Sequence, residues 1–167
     1  PMFTSTQDDT DLPFDIAIFK LSPGFLKNTN KKSIPLSRNI SQSLQNEMAL
    51  AVGFPGKLRK TTDCGTMLNH PLYHVGATCV LHSDRRIYLC EELVEKYNPT
   101  YFGGMSGGPI FKIIDETNYE LKGIIYQGKG PGEEFEGSSG ENEIHILGFP
   151  IDSKLFGEMI NDRRCNL

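Results

Sequence analysis

An all-β barrel is the fold class that this sequence predicts. Two observations carry that expectation. Seventeen glycines and ten prolines punctuate a chain of 167 residues. Between them lie short runs of branched and aromatic residues, which suit a pleated, half-buried surface. A chain of this length supports one domain, or one domain and a piece of another.

The elements follow in order. Residues 1–13 are polar, with Asp8, Asp9 and Asp11, and read as a mobile lead-in. Phe14-Asp15-Ile16-Ala17-Ile18-Phe19-Lys20-Leu21 reads as an alternating strand that opens with an acid. Residues 22–46 are rich in Ser, Asn, Pro and Lys and read as a long connector. A barrel starts near Glu47, with a strand that ends at Gly53-Phe54-Pro55-Gly56. Residues 73–81 and 86–89 read as strands, and Glu91 to Tyr97 as one or two helical turns with acids at the N-terminal end. Pro109 to Ile114 is a strand, and Asp115-Glu116-Thr117-Asn118 is a hairpin turn. Leu121 to Gly128 is the strand beyond it. Residues 128–143 are rich in Gly, Glu and Ser and read as a flexible loop, and Ile144-His145-Ile146-Leu147 is another strand. Asp152 or Ser153 can cap a last helix. Leu155, Phe156, Met159 and Ile160 give that helix one apolar face, and Arg163 and Arg164 suit its C-terminal end.

The richest signal is Gly103-Gly104-Met105-Ser106-Gly107-Gly108, followed by Pro109. Glycines allow a bend that exposes a serine hydroxyl. They also let peptide N–H groups converge where an oxyanion would develop. A phosphate-binding loop would need Gly-Lys-Ser/Thr and then a helix, and neither follows. The spacing Gly104-x-Ser106-x-Gly108 also fits the nucleophile elbow of α/β-hydrolases. That elbow feeds a helix, whereas Ser106 feeds a proline and an apolar strand. The plain alternative is a structural glycine turn holding an ordinary serine.

Asp15-Ile16-Ala17, Val52 to Gly56, Gly104 to Phe111 and Gly123-Ile124-Ile125 occur in this order. Together these segments resemble the trypsin-like serine peptidases, particularly their intracellular and bacterial branch. The resemblance runs from about Phe14 to the C-terminal helix. It implies a chymotrypsin-like double β-barrel with a C-terminal α-helix. Residues 1–46 would hold a remnant of the first barrel and the inter-barrel connector, and residues 47–167 the second barrel and the helix. Ser106 matches the nucleophile, and Asp15 the carboxylate that orients the histidine. The N–H groups of Gly104 and Ser106 match the oxyanion hole. Ile125-Tyr126-Gln127-Gly128 matches the strand that pairs with an extended substrate peptide. Thr100 lies where the family builds the floor of its main specificity pocket. His145 would line that pocket, where a histidine favours an acidic substrate side chain. Met105 stands where digestive members carry an aspartate that pairs with a newly cut N-terminal amine, so that activation route is not expected.

One departure is serious. In this family the histidine base precedes the aspartate, yet His70, His74, His82 and His145 all follow Asp15. Three explanations stay open. The histidine segment belongs to a longer protein or a second chain. The protein is a degenerate protease that binds peptides or partner proteins. Or a downstream histidine, best His145, serves Ser106, because triads are defined by geometry. The expected function is a serine endopeptidase cleaving protein or peptide substrates through an acyl-enzyme on Ser106, with the base supplied by a segment outside this chain.

Composition bounds the partners. A net charge of −4 argues against a nucleic-acid footprint, and Lys57-Leu58-Arg59-Lys60 reads as a solvated turn. No apolar run is long enough for a membrane span. Cys64, Cys79, Cys90 and Cys165 read as reduced thiols, which points to the cytoplasm. A zinc site on Cys64, His70, His74 and Cys79 matches no standard spacing. No cofactor or metal is expected.

Overall fold

A computed structural model describes residues 2–4, 17–19, 24–25, 29, 34, 43–56, 60–61, 68–69, 71–83, 85–92, 102–130 and 143–151. The elements assigned among them are strands. They are β1 (Met2–Thr4), β2 (Ala17–Phe19), β3 (Met48–Gly53), β4 (Lys60–Thr61), β5 (Leu68–Asn69), β6 (Tyr73–His82), β7 (Ile87–Glu92), β8 (Pro109–Ile113), β9 (Tyr119–Lys129) and β10 (Glu143–Pro150). No helix among the described residues is long and apolar enough to cross a membrane.

Six of these strands close a barrel in the order β10-β7-β6-β3-β8-β9. Every neighbouring pair is antiparallel. The chain lays down two meanders, β3-β6-β7 and β8-β9-β10. They join along the seams β3–β8 and β7–β10, so the barrel strands present no open sheet edge. The β1–β2 and β4–β5 pairs form separate small sheets.

Alternation along the strands builds the core. Ala49 and Ala51 of β3, Val75, Ala77 and Cys79 of β6, and Ile87 and Leu89 of β7 point inward and are buried. Ile110 of β8, Ile125 of β9, and Ile144 and Ile146 of β10 meet them. Small residues on β3 and β6 face bulky ones on β7 and β10, which fills a narrow interior. Leu44, Phe102 and Met105 add to the core from loops. Truncating such a side chain costs its transfer energy and leaves a cavity. Ile146→Ala is expected to lose about 3 kcal/mol of stability. Thermal unfolding should show it as a fall of roughly 8 °C. A shift under about 2 °C would mean that the barrel interior is loosely filled.

Two lysines lie in this otherwise apolar setting. Lys112 is buried and pairs with Glu47. Lys122 is 1% exposed and lies 3.2 Å from Glu120. A buried ammonium needs such a partner, because an isolated charge in the interior is costly.

Some sequence expectations need correction. Met2–Thr4 is not a mobile lead-in but a strand, paired Met2↔Phe19, Phe3↔Ile18 and Thr4↔Ala17. Pairing with a branched partner strand outweighs the polar composition of the wider segment. Glu91 and Glu92 do not open a helical turn. They end β7, opposite Ile144 and Glu143 of β10, because the ladder to β10 outweighs local helix preference. Gly128 and Lys129 belong to β9 rather than to a loop. The rest of the expected helical turn at 93–97, the loop 131–142 and the expected C-terminal helix fall outside the described residues. Phe25 and Thr29 hold helical backbone within the segment read as a connector.

The hairpin at Asp115–Asn118 forms as expected. Asp115 Oδ1 accepts from the N–H groups of Thr117 and Asn118, both at 2.9 Å. The Asn118 side-chain amide donates to both Asp115 oxygens. These donors, Asn118 first, hold the Asp115 carboxyl down at about 2, below its ordinary 3.8. A depressed carboxyl contributes stability above its unfolded pKa and loses it as pH falls through the folded one. The stability gap between wild type and Asp115→Ala should therefore shrink as pH drops from about 4 to about 2. Urea titrations across that range check it, and a gap independent of pH would contradict it.

Candidate active site

Two tight turns in series present Ser106. The N–H of Met105 donates to the carbonyl of Phe102 at 3.2 Å, and that of Gly108 to the carbonyl of Met105 at 3.0 Å. The third residue of each turn has positive φ, 96° at Gly104 and 87° at Gly107. That is the type II pattern, which glycine at the third position satisfies. Ser106 falls at the second position of the second turn, on its exposed corner.

The loop is anchored on three sides. The Gly56 N–H donates to the Gly103 carbonyl at 2.8 Å, which ties it to the turn after β3. The Gly107 N–H donates to the Ile125 carbonyl at 2.7 Å, and the Ile125 N–H returns a bond of 2.7 Å to Gly108. Met105 points into the core, 1% exposed, and lies against Gly53. An apolar plug thus holds the middle of the loop. Gly108 passes so close to β3 that a Cβ there would sit 2.0 Å from the Val52 carbonyl oxygen. Among the described residues, no carbonyl accepts from the N–H of Gly104 or of Ser106.

The Ser106 hydroxyl donates to the Tyr126 carbonyl at 2.9 Å. A bulge makes this contact available. In the β9–β10 ladder Leu147 faces Gln127, while Gly148 faces Ile125, so Tyr126 has no partner in β10. A bulge re-aims one residue of a strand, and here it accompanies a carbonyl turned to the serine. The hydroxyl proton therefore rests on a neutral acceptor. Among the described residues, no imidazole bonds Ser106.

The other expected site residues divide into three groups. Asp15 and Thr100 fall outside the described residues. Ile125, Tyr126, Gln127 and Gly128 lie on β9 beside the serine loop. Ile125 is unsuited to pairing with a peptide, because its N–H and C=O are both bonded to Gly107 and Gly108. Gln127 and Gly128 are half-buried, and Phe102 covers Gly128, where a Cβ would meet its Cβ at 3.0 Å.

His145 forms the third group. It lies on the outer face of β10, between the inward Ile144 and Ile146, yet is only 2% exposed. Tyr88 stacks on it, with ring centroids 6.0 Å apart. The Tyr88 hydroxyl lies 2.8 Å from Nδ1, and Glu143 Oε2 lies 3.3 Å from Nε2. A carboxylate can only accept, so Nε2 carries the proton and Nδ1 accepts from Tyr88. Burial lowers the His145 pKa; Glu143 opposes that shift and Lys129 adds to it. With both ring nitrogens engaged, His145 is not placed as the base for Ser106.

His70 falls outside the described residues, and neither His74 nor His82 bonds Ser106. His82 Nδ1 accepts the Leu44 N–H at 3.0 Å, and His74 is an exposed residue of β6. The zinc set fails on geometry. His74 and Cys79 lie on opposite faces of β6, one exposed and one buried, and so cannot share an ion. Burial pushes the Cys79 thiol up to about 11. Sequence reasoning missed Tyr88, Cys90 and Glu143, which only the β7–β10 register brings to His145.

No family model, no curated protein and no solved structure matches this chain.

Proposed function

We propose that the chain carries the nucleophile of a trypsin-like serine endopeptidase with a chymotrypsin-like double β-barrel. In this account Ser106 attacks the scissile carbonyl and forms an acyl-enzyme. A histidine from a segment outside this sequence takes its proton, and Asp15 orients that histidine. The N–H groups of Gly104 and Ser106 stabilise the oxyanion. Thr100 and the Gln127–Gly128 stretch contribute to substrate binding. The supporting observation is the pair of glycine turns that exposes Ser106, with N–H groups at Gly104 and Ser106 that bond no carbonyl among the described residues.

The imidazole must displace the Tyr126 carbonyl as the partner of the hydroxyl, a change that needs only rotation of the serine side chain. The test is turnover of a peptide library by the full-length protein. An initial burst followed by steady hydrolysis supports the acyl-enzyme. Peptide binding without hydrolysis supports a second reading, a relic protease fold that binds peptides. The bond from Ser106 to a carbonyl instead of an imidazole is what favours that second reading.

A further inference from the structure

We propose that Cys90, Glu143 and His145 form a binding site for a divalent transition metal, with Zn²⁺ the best match. The inference is independent of the peptidase reading. The three side chains come from two adjacent strands. Cys90 of β7 is the register partner of His145 of β10. Glu143 precedes His145 by one strand repeat and so shares its face. One ligand atom from each lies within 4.8 Å of the others. His145 Nε2 and Glu143 Oε2 lie 3.3 Å apart.

The donor set is a thiolate, an imidazole and a carboxylate, which suits a borderline-soft ion. Three protein ligands leave one tetrahedral position for water or a substrate atom. The outer-sphere arrangement also fits. A metal-bound histidine normally holds its other ring nitrogen in a hydrogen bond, and Tyr88 already bonds Nδ1. Nε2 then faces the ion and the ring proton moves to Nδ1, which donates to the Tyr88 oxygen. The Cys90 thiol loses its proton to solvent as the ion binds. Charges around the site favour a cation on balance. Glu91, Glu92 and Glu143 all act on Cys90, while Lys129 is the nearby cation. Cys90 and Glu143 are half-buried, so an ion has a path in.

Titration of the metal-free full-length protein with Co²⁺ tests the site. The expected result is one ion per chain and a near-ultraviolet thiolate-to-cobalt band that Zn²⁺ abolishes. Cys90→Ser should remove the band, and Glu143→Gln should weaken binding while leaving thermal unfolding in EDTA unchanged. Tyr88→Phe should weaken affinity about 10- to 100-fold, as loss of an outer-sphere partner does. No stoichiometric binding by wild type, or a band that survives Cys90→Ser, would overturn the proposal. If Cys90→Ser fails to fold, unchanged affinity in Glu143→Gln overturns it as well. Labelling of Ser106 by an active-site probe reports separately on the peptidase reading.

Discussion

Ser106→Ala is expected to lower kcat of the full-length protein roughly a million-fold, with the barrel intact. That loss corresponds to about 8 kcal/mol of transition-state stabilisation. It follows from chemistry rather than folding. Ser106 sits on an exposed corner, and among the described residues its hydroxyl makes one hydrogen bond, to the Tyr126 carbonyl. Removing an exposed side chain with one such bond should change stability by only about 1 kcal/mol. Activity and stability therefore separate in this variant. Steady-state turnover measured alongside thermal unfolding checks it. Retained turnover would assign catalysis to another residue. A large fall in unfolding temperature would make Ser106 a structural residue.

The second large effect concerns the glycines that shape the loop. Gly108→Ala is expected to cost about 3 kcal/mol, because the added methyl meets the backbone of β3, which cannot rotate away. Its Cβ would lie 2.0 Å from the Val52 carbonyl oxygen. Gly107→Ala isolates the other term. Its φ of 87° is strained for alanine, but nothing lies within 4 Å of the new Cβ. That change should cost about 1–2 kcal/mol. Gly24→Ala has neither feature and serves as the near-neutral control. Denaturant midpoints with unchanged slopes give the order Gly108, Gly107, Gly24 from most to least harmful. A harmless Gly108→Ala would mean that the loop does not lie against β3.

Much of the barrel was legible because its strands obey simple alternation. Val75, Ala77 and Cys79 point inward, while His74, Gly76 and Thr78 point outward, as the two-residue period requires. The Gly-rich bend was legible because positive φ at Gly104 and Gly107 is a demand that few residues meet. What stayed hidden depends on register. Nothing local in Tyr126 signals a bulge, which arises where β10 shifts at Leu147 and Gly148. The burial of Lys112 and Lys122, paired with Glu47 and Glu120, was likewise not anticipated. The contact of Tyr88, Cys90, Glu143 and His145 joins residues more than fifty positions apart, and only the β7–β10 ladder creates it.

Covalent labelling by a fluorophosphonate addresses the peptidase account most directly. Such a probe reacts only with a serine whose proton is removed as it attacks. The full-length protein should take up close to one label per chain, and peptide mapping should place it on Ser106. No uptake under conditions that saturate an active serine hydrolase, or a label located on any other residue, would contradict the account.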